Sequence, residues 1–485
     1  MFERDDVFIG NRWVKPSGTD RIEVVSPSTE EVVGRVPAST AEDVDRAVAA
    51  ARKAFTDGPW PRMSLAERSD ALRRLVQEFD KVADEAVELQ IDEMGGTRQF
   101  VNGVTRFWAA FLERYIQDTE LVQFREVRAG TAGEVLVLRE PIGVTAGVTP
   151  WNAPLMTMAT KFIPSLLMGC PMVLKPAPEA PLSCYALADA VIAAGLPEGT
   201  LSFLNGGIDV GQALVGHAGI DMATFTGSPG GGAAVASLCG SQVKPAQLEL
   251  GGKSAAIILD GDIDSYLPSL IGNSLRNVGQ ICISTNRVLV NEDQHDELVE
   301  RLVDRVASMK VGDPHDDDTD FGPLVASRQR DRVEHFIAAG QAEGAKVVLG
   351  GGRPPGFDKG WYVEPTIFVN VENSMSIAQE EIFGPVLSVI KYRDEDEAVA
   401  IANDSVYGLG GAVFSSDVER AVSVASRIET GTCAINDAMP SGGGGPFGGY
   451  KRSGLGRERS REGLEAFLEI KSVSLPPGYS LDAAS

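Results

Sequence analysis

Gly143-Val144-Thr145-Ala146-Gly147-Val148-Thr149-Pro150-Trp151-Asn152-Ala153-Pro154 is the stretch whose reading decides the fold. Its first half is a short apolar run of strand length. Its second half holds two prolines, which remove backbone donors and restrict the residues before them, so regular structure stops and Asn152 is left at a strand's carboxyl end. The same rhythm returns at residues 172–175, 201–204, 222–225 and 248–250, with amphipathic segments such as 183–194 and 209–217 in between. Strands alternating with helices at this spacing predict an α/β chain with a doubly wound parallel sheet, whose ligands bind beyond the carboxyl ends of the strands.

Working downstream, a second alternating set runs through 255–259, 287–290, a helix at 296–309 and 386–390. The joint near Gly251-Gly252 therefore separates two α/β units, and a cleft between them is where a substrate pocket is expected. Upstream, 22–25 and 32–36 read as a hairpin, Thr40-Ala41-Glu42-Asp43 as the start of a capped helix, and 64–92 as a helical run closed by Gly95-Gly96. The β-rich stretches 122–139 and 470–475 lie outside this scheme and are natural arms for pairing with another subunit. Gly442 to Gly445 reads as a loop.

At 485 residues the chain is too long for a single ordinary core, and its formal net charge of −24 disfavours phosphate backbones and anionic lipid as partners. No apolar run approaches the ~20 residues of a membrane span, and the opening Met1-Phe2-Glu3-Arg4-Asp5-Asp6 is acidic where a signal peptide is basic; a cytoplasmic location is expected. Cys170, Cys184, Cys239, Cys282 and Cys433 are odd in number, with no Cys-x-x-Cys spacing and no His cluster, so neither a disulfide framework nor a metal site is expected.

Chemistry has a few candidate carriers. Cys282, in Gly279-Gln280-Ile281-Cys282-Ile283, stands 33 residues after Glu249 in Leu248-Glu249-Leu250-Gly251-Gly252-Lys253. A thiol that forms a covalent intermediate and a carboxylate that drives water onto it make a two-step acyl chemistry. Asn152 can donate its amide to an oxyanion or cap the following helix. Lys175 at a strand end suits ribose or phosphate contacts, though a solvated lysine is the blander reading. Ser228 sits in a glycine-rich turn, 226–232, that lets backbone amides approach an anion. Glu381-Ile382-Phe383-Gly384-Pro385, Asn436 and Pro446-Phe447-Gly448-Gly449-Tyr450-Lys451 are unremarked one by one.

Taken in order, Trp151-Asn152, Leu174-Lys175-Pro176, Phe225-Thr226-Gly227-Ser228, Leu248 to Lys253, Gly279-Gln280-Ile281-Cys282, Glu381 to Pro385 and Pro446 to Gly449 resemble the aldehyde dehydrogenase superfamily over roughly Phe8 to Val473. The resemblance implies a cofactor domain (1–120 and 142–250), a catalytic domain (251–440) and a small β oligomerisation element (121–141 and 468–485), with 441–467 returning to the core of the subunit. It implies a homodimer or homotetramer that oxidises an aldehyde to an acid. Cys282 would be the nucleophile, Asn152 and the Cys282 backbone N–H the oxyanion donors, and Glu249 the base that hydrolyses the thioester. Lys175, Ser228, Glu381, Phe383 and Trp151 would hold a nicotinamide cofactor, with Lys161 shaping the same region.

One departure concerns the cofactor. Many NAD-preferring relatives carry a glutamate three residues after the lysine, where this chain has Pro178 and then Glu179; NAD is expected, with NADP left open. Ala153 and Thr157 are small where relatives for short aldehydes carry bulk, and Ile281 and Ile283 flank the thiol, which points to a larger hydrophobic or aromatic aldehyde. No arginine stands out beside these positions. A coenzyme A-acylating enzyme and a catalytically idle binding protein on the same fold are the alternatives; the presence of Glu249 argues against the first, and that of Cys282, Glu249 and Asn152 together against the second.

Overall fold

A computed structural model describes residues 1–436 and 444–476. Five parallel strands, β1 (Thr145–Val148), β2 (Met172–Lys175), β3 (Leu201–Phe203), β4 (Met222–Thr226) and β5 (Ala246–Glu249), form the heart of an eight-stranded sheet in the order 5-4-1-2-3. All four residues of β2 are buried, as a strand covered by helices on both faces requires. The order reverses between β1 and β4, so the crevice of a doubly wound sheet lies where Val148 and Thr226 end their strands. Two antiparallel additions close the edges: Val7–Phe8 on β3, extended by Trp13–Val14, and Gly454–Leu455 on β5.

The second sheet holds β6 (Ala255–Ile258), β7 (Arg287–Asn291), β8 (Thr366–Val369), β9 (Val386–Tyr392), β10 (Gly411–Phe414) and β11 (Ala434–Ile435), parallel in the order 8-9-7-6-10-11, with Lys346–Leu349 antiparallel outside β8. Its two faces carry separate apolar cores, one around Ile257, Phe368 and Ile390, the other around Ile258, Val288 and Leu302. Residues 250–254 link the carboxyl end of β5 directly to the amino end of β6. The carboxyl edge of the first sheet thus faces the amino edge of the second across a cleft, whereas the candidate Asn436 lies apart from it, bonded to Ser415 at the carboxyl edge of the second sheet.

Local sequence explains the flanking elements. Thr40 caps the helix Ala41–Thr56 in a capping box with Asp43, an arrangement worth about 1 kcal/mol. The 64–92 run is two helices, Leu65–Asp80 and Ala83–Met94, the second closed by Gly95 at φ 72°. The early hairpin, Arg21–Val25 with Val32–Pro37, gains a parallel third strand, Phe2–Glu3. Arg125–Ala129, Glu134–Pro141 and Leu468–Ser474 make a separate antiparallel sheet with Glu134–Pro141 in the middle. Of the expected glycine loop, Gly442 and Gly443 lie outside the described residues, as do 437–441 and 477–485 of the expected divisions of the chain. Among the described residues no helix is long and apolar enough to cross a membrane.

Candidate active site

Cys282 lies in the loop that leads into β7, at the amino edge of the second sheet. The turn before it is wound left-handed over three successive residues, Asn277 (φ 51°), Val278 (φ 58°) and Gly279 (φ 70°). A β-branched residue in that region is a true outlier, so the surroundings must hold it there. They do: Asn277 Nδ2 donates to the Asn152 carbonyl at 3.0 Å, and the Val325 N–H donates to Gln280 Oε1 at 3.1 Å. Asn152 answers from the other sheet, its Nδ2 donating to the Gln280 carbonyl at 2.8 Å. The helix that follows, Pro154–Leu167, starts at Ala153 without a side-chain cap, so Asn152 is no helix cap. Its amide carries two hydrogens, and the second remains for an oxygen beside the thiol.

Glu249 closes β5 at 2% exposure, and neither carboxylate oxygen has a hydrogen-bond partner among the described residues. Gly448 lies against it so closely that a Cβ there would come within 2.6 Å of Oε1. Burial, then the nearby Glu458 carboxylate, push the Glu249 pKa well above the usual carboxylate range, with Lys161, Arg457 and Arg459 opposing. Cys282 is half-buried. Burial of its thiol, with the Glu249 and Glu381 charges behind it, raises its pKa to about 12. The Ile283 backbone and, more weakly, the Arg459 charge oppose this rise without cancelling it.

The residues expected to hold a dinucleotide gather along the carboxyl edge of the first sheet. Lys175, at the end of β2, is buried, its Nζ donating to the Pro176 carbonyl at 2.9 Å and the Gly206 carbonyl at 2.7 Å; desolvation lowers its pKa to about 8. The solvated-lysine reading is therefore wrong. Ser228 follows β4 and caps the helix Pro229–Ser241, accepting from the Gly231 N–H at 3.2 Å. A Cβ on Gly230 would meet nothing within 4 Å, so there is open space at this helix start for a ligand.

Across the cleft, Glu381 Oε1 accepts from the Gly252 N–H at 3.1 Å and desolvation raises its pKa to about 7. Phe383, at φ 61°, is pinned by Gln329, whose Nε2 donates to its carbonyl at 2.8 Å, and meets Trp151 edge to face with ring centroids 5.3 Å apart. These groups fit a dinucleotide: amides at a helix start, a cation beside them, a carboxylate and an aromatic pair at the thiol end.

Lys161, which the resemblance places in this region, is fully buried and donates to Glu458 Oε1 at 2.8 Å and Thr224 Oγ1 at 3.0 Å. Its partner Glu458 escapes the sequence reading. Glu458 belongs to the charged run Arg457-Glu458-Arg459-Ser460-Arg461, and the pairing of Gly454–Leu455 with β5 together with its own backbone bridge to Phe447 turns it inward. The expectation that no arginine stands near the site also needs correction. Arg459 lies over the rings of Phe447 (4.7 Å) and Phe111 (5.8 Å), close enough for its charge to act on both Glu249 and Cys282.

The model of the Aldehyde dehydrogenase family matches residues 13–473. The chain is 41% identical to geranial dehydrogenase of Castellaniella defragrans over 98% of its own length and 99% of that protein. Among solved structures, it superposes with a TM-score of 0.95 on Mycobacterium tuberculosis aldehyde dehydrogenase complexed with NAD+, at 45% identity and 99% and 100% coverage of the two chains. It superposes with a TM-score of 0.93 on a mutant of Pseudomonas syringae aldehyde dehydrogenase C complexed with NAD+ and octanal, at 40% identity and 98% coverage of both. The chain belongs to the aldehyde dehydrogenase family, an oxidoreductase on that family's α/β fold.

Proposed function

We propose that this enzyme oxidises a larger hydrophobic aldehyde to its carboxylic acid through a thioester on Cys282 that is released by hydrolysis. The observation that carries the reading is Glu249: a buried carboxylate with both oxygens unpartnered, in charge contact with the thiol, is costly unless it serves a water or a proton. In the first step Cys282 Sγ bonds to the carbonyl carbon. Its proton passes to solvent, which leaves Glu249 to the second step. The developing oxyanion accepts from Asn152 Nδ2 and the Cys282 backbone N–H, a type of contact worth about 3–4 kcal/mol in the transition state.

Lys175, Ser228, Glu381, Phe383 and Trp151 would hold the dinucleotide, which when bound supplies the hydride acceptor that turns the adduct into a thioester. Glu249 then takes a proton from water as the water oxygen attacks the acyl carbon; the C–S bond breaks, the proton passes from Glu249 to the departing Cys282 sulfur, and the acid leaves.

NAD is the favoured cofactor, in keeping with the NAD+ complexes of relatives. Glu179, one residue beyond Pro178, is ion-paired to Arg328, so its carboxylate is not free to repel a 2′-phosphate and NADP is the second cofactor to try. For the substrate, small Ala153 and Thr157 and the names of two relatives, geranial dehydrogenase and an octanal complex, support a long or terpenoid chain. Ala153, Phe100 and Ile281 fall in one apolar cluster with Trp151, which supplies apolar wall near the thiol. The division into cofactor, catalytic and oligomerisation parts, and a cytoplasmic homodimer or homotetramer built through the sheet of Glu134–Pro141 and Leu468–Ser474, belong to the same proposal.

Absorbance of the reduced nicotinamide with an aldehyde panel, NAD and NADP tests it on the wild type, Cys282→Ala and Glu249→Gln. Cys282→Ala should be inactive, and Glu249→Gln should give a burst of reduced cofactor followed by slow turnover. Full steady turnover by Glu249→Gln would remove the hydrolytic role. Acyl-CoA formed when coenzyme A is supplied would favour acyl transfer instead.

A further inference from the structure

Behind Glu249, on the side away from the thiol, four buried side chains close a ring. Gln247 lies two residues before Glu249 on β5 and so shares its face of the sheet; its register partner on β4 is Thr224, as Thr226 is that of Glu249. Gln247 Nε2 donates to the Arg457 carbonyl, Thr224 Oγ1 donates to Gln247 Oε1 at 3.1 Å, and Lys161 Nζ donates to Thr224 Oγ1 at 3.0 Å and to Glu458 Oε1 at 2.8 Å. The peptide from Arg457 to Glu458 completes the circuit.

The directions of these bonds are fixed by chemistry. A carbonyl only accepts, so Gln247 must turn Nε2 to Arg457 and Oε1 to Thr224. The single hydroxyl hydrogen of Thr224 is then committed to Oε1, and its lone pairs face Lys161, which must donate. The ring therefore does two things at once. Through Gln247 it holds the carbonyl of the segment that carries Glu458 inward, and through Thr224 it orients the ammonium that faces Glu458.

We propose that Thr224 and Gln247 are positioning residues for release of the thioester: their ring sets the Lys161–Glu458 pair against Glu249, the group whose proton uptake limits hydrolysis. The inference rests on the general-base role proposed above. The charged and titratable groups around Glu249 are Glu458, Arg457 and Arg459 from the returning C-terminal segment and Lys161 from the helix Pro154–Leu167; the Cys282 thiol, which feels Glu249 and Glu381, lies in the loop before β7, and Tyr115 faces Glu458. Of these, the Glu458 charge acts most on Glu249 and Lys161 opposes it, so loosening the pair changes the balance that Glu249 feels.

Thr224→Val keeps the shape of the side chain and removes the hydroxyl; Thr224→Ser keeps the hydroxyl. With wild type and Glu249→Gln alongside, the readouts are the burst of reduced cofactor, the steady rate, the pH midpoint of deacylation, and acylated Cys282 by mass of the intact protein. Thr224→Val should keep its burst within about twofold and lose about tenfold in steady rate, a part of the ~10²–10⁴ that a general base contributes. It should also accumulate acylated Cys282 and move the pH midpoint, and Thr224→Ser should restore all of these.

A Thr224→Val enzyme with the wild-type steady rate and midpoint overturns the inference, and so does one whose burst and steady rate fall together. If Glu249→Gln is slow while Thr224→Val is normal, the ring alone is refuted. If Glu249→Gln turns over fully, the general-base reading fails and the ring falls with it.

Discussion

Gly252→Ala places a methyl group between the two halves of the site. A Cβ on Gly252 would lie 2.6 Å from the Cys282 carbonyl oxygen and 3.2 Å from Leu409 Cβ, and its own N–H already donates to Glu381. Since C···O contacts relax at about 3.3–3.6 Å, the Cys282 backbone must retreat by about 0.7–1 Å. The neighbour is backbone, held by the left-handed turn at 277–279, so no flexible side chain can absorb the push. A misplacement of about 1 Å at a reacting centre costs on the order of 10²-fold in rate, and overpacking costs about 1–3 kcal/mol in stability.

The assay is the rate of the reduced-cofactor burst, which reports attack by Cys282 before release, together with urea unfolding. Gly272→Ala is the control: it lies exposed inside the helix Ile263–Leu275 with nothing within 4 Å of its Cβ, and should gain up to about 1 kcal/mol. A Gly252→Ala enzyme that is destabilised yet bursts at the wild-type rate would refute the link between this glycine and the position of the thiol.

Asn152→Ala should lower kcat by about 10²–10³-fold while KM changes little, because the lost donor acts on charge that develops in the transition state; a kcat within a few-fold of wild type would take Asn152 out of the chemistry. Lys253→Met should stabilise the protein. The Lys253 Nζ is fully buried without a hydrogen-bond partner among the described residues, and desolvation lowers its pKa from 10.5 to about 7. The unfolded chain then binds the proton more tightly than the native one between pH 7 and 10.5, so the cost is full below pH 7 and fades as the pH rises toward 10.5. The gain of the methionine variant, at most about 4–5 kcal/mol, should shrink steadily from pH 7 to pH 9 in melts of the two proteins; a gain independent of pH would mean that packing, not charge, explains it. Thr40→Ala should cost about 1 kcal/mol in urea unfolding through loss of its cap, with no change in activity.

The strands were legible because β1, β2, β4 and β5 are short apolar runs bounded by Pro, Gly or Lys, and both sheets follow from that rhythm. The 64–92 segment read as one helix because helical spacing continues across Lys81 and Val82, and only the chain's change of direction there separates Leu65–Asp80 from Ala83–Met94. In the site, Cys282, Glu249 and Asn152 stood out through the motifs around them. Glu458 and Arg459 did not, since a carboxylate among arginines looks solvated until an edge strand folds it under the sheet. The raised thiol pKa was equally hidden: it depends on which charges surround Cys282 in space, and sequence neighbours such as Ile281 and Ile283 say nothing of Glu249 or Glu381.

The edge pairing of Gly454–Leu455 with β5, and of Leu468–Ser474 with Glu134–Pro141, also sets an order in time. The five central strands of the first sheet are complete once residue 249 has been made, but one border of that sheet and the partner of Glu134–Pro141 come from the last stretch of the chain. At synthesis rates of about 5–20 residues per second, those borders wait open for tens of seconds or less, exposing unpaired strand edges to other chains. Truncation before Gly454 should accordingly yield a protein that aggregates during expression, even though every strand of both parallel cores is present.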